Sequence, residues 1–111
     1  MATINLHTQA VRQIVERYAS YTSSSDEIRY ELVMDTERNH YEVLVIGWQK
    51  GRRVYHAMMH FDIIDGKVWI QVNNTDRDLA NELSELDVPK EDIVLGFHPE
   101  YVRKHTGFAV S

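Results

Sequence analysis

The chain contains no cysteine. Disulfide frameworks, thiolate-bound metals, iron–sulfur clusters and cysteine nucleophiles are excluded with it. Glycines are few and scattered, at positions 47, 51, 66, 96 and 107, too far apart for a dinucleotide fingerprint or a phosphate loop. No apolar run approaches the roughly 20 residues needed to span a bilayer. The opening stretch from Met1 to His7 lacks a basic region followed by an apolar one, so no signal peptide is expected and the default compartment is the cytoplasm. Positive charge is also short, with 12 Lys and Arg against 17 Asp and Glu and a net charge of −5. Proteins that grip duplex DNA unaided carry a strongly basic footprint, so weak or no direct nucleic-acid binding is expected.

What remains is the balance of an ordinary globular chain, with 43% hydrophobic and 26% charged residues over 111 positions. That length suits one core, so residues 1–111 are read as a single domain. The acids are unevenly placed. Asp76, Asp78, Glu82, Glu85, Asp87, Glu91 and Asp92 share one segment with two bases, Arg77 and Lys90, and this segment carries the whole net charge. Such a face is either plain solvated surface or a dock for a basic partner.

Leu6, Ala10, Val11, Ile14, Val15 and Tyr18 recur at helical spacing, which predicts an amphipathic helix over about 5–18 with Thr3 or Asn5 as its cap. Ser23-Ser24-Ser25 reads as a short linker. The period then changes to two. Ile28, Tyr30, Leu32 and Met34 alternate with polar residues, a second strand follows over Tyr41–Trp48, and a third runs from Val54 to Ile64. Lys50-Gly51-Arg52 makes one turn. Asp65-Gly66 makes the next, as the strongest short hairpin signal, because both residues accept positive φ. Lys67 to Ile70 completes a four-stranded antiparallel meander.

Asn74-Thr75-Asp76 offers cap chemistry for a second helix, in which Leu79, Ala80, Leu83 and Leu86 face the core. Ile93-Val94-Leu95 returns to the core, Pro99 opens a short helix, and Phe108-Ala109-Val110 forms an apolar tail that should dock. The fold class is therefore α+β, with an N-terminal helix, a four-stranded antiparallel β-meander and C-terminal helices packed on the sheet.

His56 and His60 have the i, i+4 spacing of a helical zinc site, but Ala57 replaces the glutamate of the zinc-protease motif. On a strand the two lie about 13 Å apart, too far for one ion. No metal site and no cofactor are therefore expected. On the third strand Tyr55, Ala57, Met59, Phe61 and Ile63 form an apolar face, and His56, His60 and Asp62 lie together on the more polar one. That polar face is either uncovered sheet or an oriented His–Asp general base, although no nucleophile is marked beside it.

Asp78, Glu82 and Glu85 fall on one face of the second helix, beside the core leucines and free for a partner without disturbing folding. Trp48, with Arg52 and Arg53 nearby, is a second candidate for a partner surface. Lys50, Arg52, Arg53, Arg103 and Lys104 are the residues a DNA-binding accessory factor would use.

A longer pattern runs through these segments. Gly47-Trp48 is followed by Arg52-Arg53-Val54, by the unbroken stretch from His60 to Gln71, and by Thr75-Asp76. The stretch from Val88 to Phe97 comes next, and the chain closes with Arg103, Thr106 and Phe108-Ala109-Val110. In these motifs, over nearly its whole length, the chain resembles the XisI family, the fdxN-element excision controlling factors. The resemblance implies a cyanobacterial protein whose founding relative works with a companion, XisH, to control excision of a DNA element during heterocyst differentiation. Strand exchange in that DNA rearrangement is attributed to a separate recombinase, and the family has no established catalytic residues to carry over.

The resemblance thus implies a non-enzymatic controlling factor acting through an XisH-like partner. A DNA-binding accessory factor and a small hydrolase using His56, His60 and Asp62 are the alternatives. A homo-oligomer stays open.

Overall fold

The computed structural model describes residues 2–21 and 27–111, with the side chains of residues 2–5 excepted. The Ser23-Ser24-Ser25 linker lies outside the described residues. Helix α1 (Ala2–Ala19) is longer than its apolar pattern, so Thr3 and Asn5, expected just before it, lie within its span. Ala10, Val11, Ile14, Val15 and Tyr18 of its stripe are buried as expected, whereas Leu6, counted with them, is 37% exposed. A residue the pattern did not mark joins it: His7 is fully buried, with Nε2 2.9 Å from Asp92 Oδ2.

Strands β1 (Ile28–Asp35), β2 (His40–Gln49), β3 (Arg52–Ile64) and β4 (Lys67–Asn73) form the antiparallel meander. The sheet has five strands, not four: β5 (Ile93–Leu95) adds to β4 in parallel, and the order is β1-β2-β3-β4-β5. A three-residue strand leaves too short a run for a period-two pattern, so only its burial was legible. Between β4 and β5 lies α2 (Leu79–Glu85), followed by a 3-10 turn over Lys90–Asp92. The cap of α2 is Asp78, whose carboxylate accepts from the Asn81 amide at 3.0 Å; the expected cap at Asn74-Thr75-Asp76 lies upstream of it. Helix α3 (Glu100–Arg103) follows Pro99, and the tail docks through Ala109, whose N–H donates to the Ile93 carbonyl.

Two hairpins use the same two-residue turn. Asp65 and Gly66 have φ of 51° and 77°, and Lys50 and Gly51 have 51° and 76°. Arg52 thus leaves the turn and begins β3, opposite Gln49. Gly47 is required for a different reason. A Cβ there would lie 1.9 Å from the carbonyl oxygen of Glu27, the residue just before β1.

Helices α1 and α2 cover one face of the sheet. Tyr41, Val43, Met59, Phe61, Val68 and Ile70 meet Ile14, Leu79 and Leu83 there in one buried cluster. The outer face is less covered. Trp69, which the register places beside Asp62 on that face, receives the Arg103 guanidinium at 5.4 Å from its ring.

The meander is not a uniform ladder. From the Gln49–Arg52 turn the pairing runs regularly to Leu44 and Ala57, then shifts so that Val43 faces Met59 and Met58 is left over. A bulge of this kind reverses which side chains face which way along the strand. The expected apolar face of β3 is therefore wrong in its first half. Met59, Phe61 and Ile63 enter the core, but Tyr55, opposite Ile46, lies on the outer face and is 62% exposed. His56, opposite Val45, is turned to the side opposite His60 and Asp62.

Candidate functional site

An unbroken ladder from the Gln49–Arg52 turn would oppose His40 to Phe61. The extra residue at Met58 opposes His40 to Asp62 and Glu42 to His60 instead. Directly opposed residues of an antiparallel pair share a face, so four titratable side chains from two strands meet on the outer side. A second bulge, on β4, leaves Gln71 unpaired and adds it to the group.

The geometry is tight. Asp62 Oδ1 lies 2.6 Å from His40 Nδ1 and 2.7 Å from His60 Nε2. The other oxygen, Oδ2, accepts from the Gln71 amide at 3.2 Å. His60 Nδ1 faces Glu42 Oε2 at 3.4 Å. The rings of His40 and His60 stand edge to face, with centroids 6.0 Å apart. Asp62 is nearly buried, while His40 is about half exposed.

These contacts set the protonation preferences. Burial alone would raise the Asp62 pKa, but hydrogen bonds from His40, His60 and Gln71 outweigh it and hold the carboxyl below its ordinary range. His40 moves the other way, raised by its hydrogen bond to Asp62 and by that residue's charge. Donor atoms of His40, His60 and Asp62 all lie within 4.8 Å of one another, the spacing from which one cation can be held.

Of the residues singled out on the sequence, His60 and Asp62 are brought together and His56 is not. His40, Glu42 and Gln71 were missed. A signal did exist, because His40 and Glu42 alternate at the start of β2 as His60 and Asp62 do near the end of β3. Using it required the register, and the bulge that sets the register has no glycine or proline to mark it. Among the described residues, no hydroxyl is hydrogen-bonded to either ring.

The acidic helix face differs from its expectation. Glu82 is not free: its carboxylate accepts from the Tyr18 hydroxyl at 2.6 Å and pairs with Arg17 at 3.2 Å. Asp78 caps α2, and Glu85 accepts from the Asn81 amide at 2.9 Å. The helix is short and packs beside α1, so its acids meet α1 and its own backbone first. At the β2–β3 turn, Arg53 lies 5.4 Å from the centroid of the half-exposed Trp48 ring, and Arg52 is exposed.

Of the basic residues offered to DNA, Arg103 is committed to the fold. Its Nε donates to the Val110 carbonyl and a terminal nitrogen to the His98 carbonyl, both at 2.7 Å. Lys50 and Lys104 are exposed. Among the described residues, no helix is long and apolar enough to cross a membrane.

Comparison with known proteins extends these observations. No curated protein sequence matches the chain. Its fold is similar to the crystal structure of a XisI-like protein from Anabaena variabilis ATCC 29413, with 42% identity, a TM-score of 0.92, and coverage of 97% of this chain and 99% of that one. It is also similar to the crystal structure of the fdxN element excision controlling factor XisI from the same organism, at 28% identity and a TM-score of 0.85, over 98% of this chain and 99% of that one. The family model described as XisI protein matches residues 1–110. The α+β architecture matches that of these relatives, and the chain belongs to the XisI family.

Proposed function

We propose that the protein is a non-enzymatic controlling factor that acts through a protein partner of the XisH type in the control of programmed DNA excision. One observation carries the reading: the likeness to the fdxN element excision controlling factor runs over essentially the full length of both chains. An adaptor's role asks for no reacting group on this chain, only for surfaces that recognise a companion.

Charge supports a basic companion. The segment from Asp76 to Asp92 holds the excess of acid, and Asp76 and Glu85 stand on its exposed side. Trp48 with Arg52 and Arg53 offers a second patch, where a half-exposed aromatic ring carries a guanidinium. Long-range attraction would raise the association rate more than the final affinity.

The test is co-expression with the XisH-type protein, followed by mass determination of the purified complex and association rates at several salt concentrations. A defined complex is expected. Asp76→Lys with Glu85→Lys should slow association most at low salt, where screening is weakest. Two proteins that elute separately at micromolar concentration would overturn the reading.

A further inference from the structure

We propose that His40, His60 and Asp62 form a binding site for one divalent transition-metal ion on the outer face of the sheet. His40 would ligate through Nδ1, His60 through Nε2 and Asp62 through Oδ1, three atoms that already converge from two adjacent strands.

The surroundings of the three donors carry the argument furthest. Metal-bound histidine turns its other ring nitrogen toward a carboxylate or carbonyl, and a ligating carboxylate is itself hydrogen-bonded. Both features are built here. The far nitrogen of His60 faces Glu42 Oε2 at 3.4 Å, and the far oxygen of Asp62 accepts from Gln71 at 3.2 Å. An ordinary surface ion pair has no need for the orienting partners that stand behind His60 and Asp62. Two bulges, one in each ladder of β3, are spent in placing these five side chains on one face.

The donor set selects the ion. Two imidazole nitrogens and one carboxylate oxygen suit zinc and its first-row neighbours; magnesium and calcium prefer all-oxygen shells. Tetrahedral zinc holds its ligand atoms about 3.3 Å apart, given bond lengths of about 2.0–2.1 Å. The present separations of 2.6 and 2.7 Å are hydrogen-bond distances, so the ligands must open by roughly 0.6 Å to admit the ion. His40, half exposed at the start of β2, is free to make that movement. Three protein ligands leave a fourth position for water on the solvent side, as in open zinc sites. The site is independent of the partner reading, since it needs nothing but this chain.

The experiment uses the whole protein after dialysis against chelator, titrated with zinc chloride by calorimetry. One ion per chain is expected. His40→Ala should abolish the stoichiometric isotherm. Being exposed, that position tolerates truncation, and Asp62→Asn gives a second, nearly isosteric loss. Gln71→Ala should weaken binding by roughly tenfold to hundredfold, the usual effect of removing an orienting partner. His56→Ala, on the opposite face, should change nothing. Ring resonances in histidine NMR should shift for His40 and His60 and stay in place for His56 and His105. Absence of binding at millimolar zinc would overturn the proposal. So would an isotherm that survives both His40→Ala and Asp62→Asn, or half an ion per chain accompanied by dimerisation.

Discussion

The Tyr18 hydroxyl donates to Glu82 Oε2 across 2.6 Å and so joins the first helix to the second. Burial, and then the adjoining carboxylate, push the Tyr18 pKa from its ordinary 10.0 up to about 12. Below pH 10 both folded and unfolded chains keep this proton, and the contribution is fully present. Between the ordinary value and about 12 the unfolded chain releases it first, so stability falls as pH rises through that window. Tyr18→Phe should remove this slope and cost about 1 kcal/mol at neutral pH. Urea midpoints at steps from neutral to pH 12 check it; parallel curves for the two proteins would contradict it.

Charge reversal along α2 should separate the acids by what they hold. Glu82→Lys loses the Tyr18 bond and sets a lysine against Arg17, with an expected cost of roughly 1–3 kcal/mol. Asp78→Ala removes the helix cap and should cost about 1 kcal/mol. Glu85→Lys, at an exposed position, should stay within about 0.5 kcal/mol. Thermal melts of the three single variants give the ranking, and equal shifts would refute it.

Two glycines should respond differently from each other. Gly66→Val puts a β-branched residue at positive φ in the Asp65-Gly66 turn, beside open space, and should cost at least about 1 kcal/mol. Gly47→Ala meets the Glu27 backbone and forces β1 away from β2, so its loss should be the larger. Denaturant midpoints decide the order.

The legible part of the fold was the part written in local chemistry. Helix α1, the alternation of β1 and the Asp65-Gly66 turn follow from periodicity and turn residues, and the structure has each of them. The illegible part was pairing. Whether Tyr55 points in or out depends on a residue inserted at Met58, and methionine carries no bulge signal. The same gap hid His40 from its partners, because Asp62 is reached across a strand and not along one. Glu82 looked free for a related reason: helical spacing locates an acid on its own helix and says nothing of the tyrosine on another.

Metal removal should leave the fold standing. The three donors lie on the outer face, away from the cluster of Tyr41, Met59, Phe61 and Ile70. Chelator added to the metal-free protein should therefore not move the melting transition. Added zinc should raise it by mass action, about 2.7 kcal/mol at a hundredfold excess over Kd. A metal-free protein without a cooperative melting transition would mean the ion is part of the core's own stability.

The extra residue at Met58 divides β3 into two halves that pair with β2 in different registers. Deleting Met58 would make Ala57 and Met59 ordinary alternating neighbours, and every later residue of the strand would keep its present face and partner. A one-residue gap at this position in a relative is therefore compatible with an unchanged arrangement of His40, His60 and Asp62.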